Sequence, residues 1–265
     1  MITAPARQAA PSLPRRARDL VISEWTKLRS VRSTYWTLLV ALVTPMGISA
    51  IIALAAATGP SSGSKIGPLL PEFISLEYAV LAVGVLGVLT VTAEFSTGQI
   101  RTTFATVPRR WPALAAKAAV TGAVTLVTGE LVALASFFVV QALLSRKHLG
   151  ISLTHPGVAG AVLAEGALMC VCALTGVGLG AMIRYTAGAL AALPAVIFLP
   201  AVLALLPPPW NTRIDRFTLF YAADQVTALH PSQALFSPAL SMLVLLAWPA
   251  AALLGAGVLL SRRDV

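Results

Sequence analysis

Residues 36 to 57 read WTLLVALVTPMGISAIIALAAA and contain no charged side chain. A helix needs about 20 such residues to cross the ~30 Å hydrocarbon core of a bilayer, so this run is long enough to span it. Further apolar runs occupy residues 74–93, 115–144, 157–183, 186–206 and 239–260. Backbone groups in lipid must pair within their own segment, and continuous runs favour helices over the ~10-residue alternating strands of a barrel. The sequence predicts an all-α integral membrane protein with six transmembrane helices.

The composition supports this prediction. Charged residues make up 11% of the chain and hydrophobic residues 57%, with a mean hydropathy of +0.85. Soluble domains carry about 25% charged residues, so a water-soluble fold is excluded. Residues 1–17, which are rich in Ala, Pro and Arg, are predicted to form a disordered cytoplasmic tail. Residues 18–265 are then a single transmembrane domain.

The basic residues predict how the chain is oriented. If there are six spans, both termini lie on one side, and the loops on that side hold 14 of the 19 basic residues. The other loops hold Lys65, Arg146, Lys147, Arg213 and Arg216. The positive-inside rule then places both termini in the cytoplasm. Because the charges sit at membrane boundaries, they indicate anionic lipid as their partner and argue against nucleic acid.

The segment before the first run is predicted to be an interfacial helix. Residues 18–33 read RDLVISEWTKLRSVRS, and helical spacing puts Val21, Trp25 and Leu28 on one face. Trp25 would lie at headgroup depth, and Lys27 and Arg29 would face anionic lipid. A purely anchoring role and a mechanical role both remain open for this helix.

A second special segment links the second and third runs. Ser96 followed by Gln99 matches a capping box, and Pro108 ends what it starts, so a short cytoplasmic helix is predicted near residues 97–106. Ile100 and Phe104 form an i, i+4 apolar pair beside Arg101. Such a pair is a candidate surface for a groove on a partner protein.

Neither nucleotide motif that the sequence approaches is complete. Gly59 to Lys65 has three residues between its glycines where a phosphate-binding loop needs four, and Ile66 replaces the required Ser or Thr. Gly176 to Ala181 fits a loose dinucleotide pattern but lies inside an apolar run, where Gly176 and Gly180 instead predict a small-residue packing face. No catalytic, cofactor-binding or metal-binding residues are assigned, and the chain is predicted not to be an enzyme.

Two acidic residues fall inside predicted spans and are candidates for the substrate path. Glu130 lies in the third run and Glu165 in the fourth. A carboxylate is costly there, which marks it as functional by default. Either residue could bind a cationic substrate or relay protons, or could accept helix-to-helix hydrogen bonds. They motivate an alternative function, a proton-coupled secondary transporter. A non-transporting membrane scaffold or immunity protein is a further alternative.

Three stretches carry a resemblance to a known family. They are SEWTKLRSVRSTYWTL at 23–38, GVLTVTAEFSTGQIRTTFATVPRR at 87–110 and LLSRRDV at 259–265. With the six-run layout, the chain resembles the type-2 ATP-binding-cassette (ABC) transporter permeases, specifically their actinobacterial-type members. The resemblance implies a permease subunit of the bacterial cytoplasmic membrane that exports a hydrophobic or amphipathic substrate.

The resemblance also implies partners and positions. Two separate ATPase subunits would bind ATP and Mg²⁺, and a second permease copy would complete a homodimer or a heterodimer. Residues 96–107 would be the coupling helix that docks on the ATPase, and residues 207–237 would supply an extracellular re-entrant hairpin. The docking candidates are Ser96, Gln99, Ile100, Arg101 and Phe104.

Overall fold

The computed structural model describes residues 13–58, 69–106, 110–203, 205–227 and 236–262. These residues form helices and connecting turns, with no strand among them. The helices are α1 (Leu13–Ser30), α2 (Arg32–Thr58), α3 (Leu70–Ser96), α4 (Gln99–Thr106), α5 (Arg110–Leu144), α6 (Val158–Ile183), α7 (Thr186–Ile197), α8 (Leu199–Leu203), α9 (Trp210–Asp215), α10 (Leu219–Thr227) and α11 (Pro238–Arg262). The predicted all-α class is confirmed. Helix α1 begins inside the segment predicted as a disordered tail, of which residues 1–12 lie outside the described ranges.

Within the described ranges, five helices are long and apolar enough to cross a bilayer: α2, α3, α5, α6 and α11. The run at 186–206 is divided into α7 and α8, which break at Phe198. Pro200 has no N–H to continue the hydrogen-bond ladder, so a break at this point is expected. The chain is thus a multi-pass helical membrane protein, and the sixth span remains a prediction.

The closest helix packing joins α3 and α6, which run parallel. A Cβ atom added to Gly87 would lie 2.0 Å from the carbonyl oxygen of Ala173, and one added to Gly176 would lie 2.3 Å from that of Gly84. At Gly180 the nearest atom would be the Val88 oxygen, at 3.0 Å. Small residues let the two backbones approach, as in other membrane helix pairs. The packing face predicted for Gly176 and Gly180 is confirmed.

Helix α6 lies at the centre of the bundle and α2 lies at its edge. In the most apolar stretch of α6, 67% of residues are buried, compared with 22% in α2. Trp36, Val43 and Ile51 of α2 are each more than half exposed. So much apolar surface is compatible with lipid around the helix and not with water.

The segment predicted as a re-entrant hairpin forms α9 and α10, and residues 228–235 lie outside the described ranges. Helix α10 buries Leu219 and Ala222 in the main core, against residues that include Leu168 of α6 and Leu245 of α11. The indole N–H of Trp248 donates to the Phe217 carbonyl at 3.1 Å. Helix α10 is therefore part of the bundle, and its depth in a membrane remains a prediction.

Candidate functional site at the α4 end of the bundle

A ring of four charged side chains lies where α1 meets the ends of α3 and α5, which we call the α4 end of the bundle. Helix α1 supplies Glu24 and Lys27, which share one face because they are three residues apart. Glu94 belongs to the last turn of α3, and Lys117 to the second turn of α5. Three helices thus contribute alternating charges to one point.

The hydrogen bonds close the ring. Lys27 Nζ donates to Glu24 Oε1 at 2.7 Å and to Glu94 Oε1 at 2.9 Å. Lys117 Nζ donates to the same Glu94 oxygen at 2.9 Å and to Glu24 Oε2. Each charge therefore has two neighbours of opposite sign. The ring has no net charge, which is the arrangement that buried ions require.

Three of the four charged side chains of the ring are buried, which strengthens the interactions between their charges. Glu24, Glu94 and Lys117 are all less than a tenth exposed, whereas the Lys27 side chain is 34% exposed. Burial alone would lower the pKa of Lys27, but its hydrogen bonds to Glu24 and Glu94 outweigh this and raise it above the ordinary value. Lys27 is therefore held in its charged form. Removing one member of such a ring leaves another charge buried without compensation.

A cavity of about 170 Å³ lies beside the ring, between α1 and the bundle. Its walls include Leu28, Leu86 and Val120, together with the ring itself. Two buried atoms of its lining residues, Glu94 Oε2 and Thr121 Oγ1, have no hydrogen-bond partner among the described residues. The ring therefore borders an open space between α1 and the bundle.

The structure changes the predicted orientation of α1. Val21 and Trp25 are 40% and 48% exposed, as a lipid-facing side requires, and Arg29 is exposed as well. Leu28, predicted on the same face as Val21 and Trp25, instead lines the cavity. The expectation that Lys27 faces anionic lipid is wrong, because the carboxylates of Glu24 and Glu94 hold it towards the bundle.

Helix α4 lies beside the ring, and its start differs from the predicted capping box. Ser96 is the last residue of α3, and its hydroxyl donates to the Ala93 carbonyl at 3.0 Å instead of capping Gln99. Gly98 makes the turn between α3 and α4 with φ of 72°, a conformation that suits glycine. The cap is therefore replaced by a glycine turn, and the short helix starts at Gln99.

The predicted docking residues divide between two sides of α4. Gln99 and Arg101 are exposed, and Gln99 also lines the cavity beside the ring. Ile100 is 7% exposed and lines a small pocket together with Phe95 and Leu260. The Phe104 side chain lies outside those described. Ile100 is thus the buried residue of α4 and Arg101 lies on its exposed side, while docking on a partner remains a prediction.

Further contacts fix the helix ends around α4. The Arg110 guanidinium of α5 donates to the Leu260 carbonyl of α11. Arg184, which follows α6, lies 5.5 Å from the centre of the Phe95 ring and is 3.5 Å from the Leu259 carbonyl. The ends of α3, α5, α6 and α11 are therefore tied together next to the ring.

The two predicted substrate-path acids lie away from the ring. Glu130 of α5 packs on Gly166 of α6, where a Cβ atom would lie 2.7 Å from Glu130 Oε2. Glu165 is 2% exposed and has Glu72 of α3 as its acidic neighbour. Sequence reasoning assigned no role to Glu72 or Glu94. The available signal was an acidic residue at each boundary of a predicted span.

Comparison with known proteins gives no relative. Neither a protein-family model nor a curated protein matches this sequence. Within the described part of the chain, no group of three or more His, Cys, Asp or Glu residues could hold a metal ion. The hydrogen bonds of the ring link α1, α3 and α5.

Proposed function

We propose that the chain is the permease subunit of an ABC exporter, in which separate ATPase subunits drive the export of a hydrophobic or amphipathic substrate. The observation that carries this proposal is the junction of α4 with the charged ring. An exposed polar side of a short helix faces away from the bundle, and its buried side is fixed by Ile100. The resemblance at residues 23–38 and 87–110 supports the same assignment.

A movement of α4 has two routes into the bundle. One route runs through Gly98 into the last turn of α3, which carries Glu94. The other runs through Ile100 to Phe95 and to Leu260 of α11. From Glu94 the ring passes the displacement to α1 and α5, since its hydrogen bonds link all three helices. Helix α1 then acts as a lever lying along the membrane surface.

The energy for such a movement would come from the partner. ATP and Mg²⁺ would be bound by two ATPase subunits, and this chain would supply only the docking surface. A partner shifts the permease between conformations only through a difference in its contacts with the two states. The exposure of Arg101 supports such a contact, and a second permease copy would complete the transport path.

The test first looks for a neighbouring gene with a phosphate-binding-loop motif, and then co-purifies its ATPase product with this chain in lipid nanodiscs. Arg101→Glu reverses the exposed charge of α4 and is expected to lower recovery of the ATPase about tenfold, since a lost charge contact is worth about 1.4 kcal/mol or more. Arg146→Glu is the matched control, because Arg146 is exposed at the opposite end of the bundle. Equal recovery with both variants would overturn the docking role of α4.

A second variant separates docking from coupling. Ile100→Ala keeps the exposed side of α4 but loosens its anchor, so the ATPase should still bind while the permease no longer changes its rate of ATP hydrolysis. Wild-type regulation of hydrolysis by this variant would contradict the transmission route. If the ATPase binds wild type but its hydrolysis never responds to the permease, the scaffold alternative is favoured.

A further inference from the structure

Two buried carboxyl groups lie at the end of the bundle opposite α4. Glu72, in the first turn of α3, is 1% exposed, and Glu165 of α6 is 2% exposed. Both oxygens of Glu72 and Oε1 of Glu165 have no hydrogen-bond partner among the described residues. Unlike the glutamates of the ring, neither forms an ion pair with any described residue. They are buried acids without a compensating charge.

The packing of α3 on α6 brings these two groups together. The close contacts of Gly84 with Gly176 and of Val88 with Gly180 set a constant register between the parallel helices. Continued towards the opposite end, this register brings Glu72 level with Glu165. The two carboxyls are electrostatic neighbours, as expected from that register.

The surroundings supply a hydrogen-bond donor but no cation. Gln141 of α5 lies close enough to Glu72 to interact with it, although not with the geometry of a full hydrogen bond. Its Oε1 accepts the Ile151 N–H at 2.8 Å, which leaves the amide NH₂ to face other groups. Helices α3 and α6 contain no Lys or Arg. The amide therefore offers polarity without neutralising either acid.

The other charged groups of the packed helices are few. They are Glu77 of α3, whose side chain lies outside those described, Glu130 of α5 on the Gly166 side, and Asp224 of α10. Arg32, Arg110, Lys117 and Arg262 all lie at the α4 end, and Arg146 and Lys147 after α5 are exposed. Arg216, between α9 and α10, donates to the Arg213 carbonyl and lies over the Phe217 and Phe236 rings. Among the described residues, no basic side chain forms an ion pair with Glu72 or Glu165.

We propose that Glu72 and Glu165 form a proton-binding site, in which the pair retains at least one proton at neutral pH. Two ionised carboxylates held together in an apolar site repel each other and lose their hydration, and one bound proton removes most of that cost. The step is a simple association of H⁺ with a carboxylate oxygen. It does not depend on an ATPase partner.

A cavity lies near the two carboxyl groups. It has a volume of about 340 Å³ and is lined by residues that include Leu76, Leu168 and Asp224. Neither Glu72 nor Glu165 belongs to the lining of this cavity. Burial raises the pKa of Asp224, an effect that its hydrogen bond with Gln225 lessens.

The test uses dicyclohexylcarbodiimide, a lipophilic reagent that reacts with protonated carboxyl groups in apolar sites. The carboxyl oxygen adds to the carbodiimide carbon, its proton passes to nitrogen, and rearrangement gives a stable N-acylurea. The full chain in nanodiscs is treated from about pH 6 to about pH 9, a range in which buried glutamates can titrate. Peptide mass spectrometry then locates the adduct.

We expect labelling of Glu165 or Glu72 that falls as pH rises, and at least about tenfold less labelling of Glu94, a buried glutamate held ionised by two lysines. Glu72→Gln removes the neighbouring negative charge, so the midpoint for Glu165 should move about one pH unit lower. Absence of adduct on both glutamates, or an unchanged midpoint in Glu72→Gln, would count against the site.

Infrared spectroscopy keeps the proposal falsifiable if the reagent does not reach the pair. A protonated carboxyl gives its own C=O stretching band, which we expect in wild type near neutral pH. The Glu72→Gln, Glu165→Gln double variant should lose one carboxyl equivalent of this band or more, while Glu130→Gln should retain the contribution of the pair. A band that is identical in the double variant would overturn the proposal.

Discussion

Helix α3 carries one buried glutamate near each of its ends, and the two differ in what surrounds them. Glu94 is 5% exposed and shares its Oε1 between Lys27 and Lys117, each at 2.9 Å. Glu72 is 1% exposed and has no basic partner among the described residues, with Glu165 as its neighbour. Glu94 and Glu72 are buried to almost the same extent, so their electrostatic environments differ only in the charged groups that neighbour them.

The contrast indicates two kinds of behaviour in one helix. At the α4 end, opposite charges from three helices cancel. We expect these ion pairs to keep their charges, and therefore to keep linking the helices, over the neutral pH range. At the other end, two buried carboxyl groups are neighbours without a basic partner among the described residues, so under our proposal the free energy of the pair depends on whether a proton is bound. We infer a mechanical end and a chemically responsive end.

The largest expected effect comes from breaking the ring. Lys117→Met leaves Glu24 Oε2 without its donor and Glu94 with Lys27 alone. We expect a loss of about 3 to 5 kcal/mol in the free energy of unfolding in detergent, as for a broken buried ion pair. Chemical denaturation monitored by tryptophan fluorescence measures it.

The control for this variant is Lys147→Met, which removes the same side chain from an exposed position at the opposite end. We expect a change within about 0.5 kcal/mol. Equal losses for the two variants would mean that the ring does not stabilise the fold.

A smaller effect should follow from disturbing the contact that sets the register of α3 on α6. Gly87→Ala places a methyl group 2.0 Å from the Ala173 carbonyl oxygen, so the helices must separate. Overpacking of this kind costs about 1 to 3 kcal/mol. Gly47→Ala in α2 is the matched control, because its methyl group meets nothing within 4 Å.

Gly47→Ala should be neutral or stabilising by up to about 1 kcal/mol, since alanine favours the helix. Gly87→Ala should also reduce labelling of Glu165 by dicyclohexylcarbodiimide, because it moves Glu72 relative to its neighbour. If both alanine variants unfold alike, close packing of α3 on α6 is not what holds the pair in register.

The smallest effect concerns Lys27 and pH. Its folded-state pKa is raised above 10.5, mainly because hydrogen bonds to Glu24 and Glu94 outweigh the effect of burial. The stabilisation is thus fully present below the unfolded-state pKa and is lost as pH rises through the folded-state value. We expect a decline only above about pH 10.5, of about 0.5 kcal/mol because Lys27 is one-third exposed.

Thermal unfolding of wild type and Lys27→Met across that range measures this decline. The two curves should run parallel below about pH 10 and converge above it. Curves that stay parallel throughout would show that the Lys27 charge does not contribute to stability.

Apolar run length was sufficient to predict the all-α class and the five long helices, since bilayer thickness sets a minimum length. It failed to predict the break at 186–206, because hydropathy does not register the backbone effect of Pro200. Helical spacing of Val21, Trp25 and Leu28 predicted a helix before the first run, and α1 is that helix, while its position at a membrane surface remains a prediction. Leu28 lines the cavity, and Lys27 donates to the carboxylates of Glu24 and Glu94. Helical periodicity within α1 could not predict this, because it contains no information about contacts with other helices.

The candidate sites were less accessible to sequence reasoning. Lys27 and Glu94 are 67 residues apart, and Lys117 and Glu24 are 93 apart, so no local pattern reports the ring. Glu165 was predicted as functional because it lies inside an apolar run. Glu72 was missed because the predicted span began at residue 74, whereas α3 starts at Leu70 and buries it.

The most direct test of the contrast between the two ends is the unfolding free energy of Glu94→Gln beside that of Glu72→Gln at pH 7. Removing the Glu94 charge leaves two lysines sharing one carboxylate, so we predict a loss of about 3 kcal/mol. Glutamine closely mimics a protonated glutamate, so Glu72→Gln should change stability by less than about 0.5 kcal/mol or increase it. Equal losses, or a larger loss for Glu72→Gln, would contradict the account.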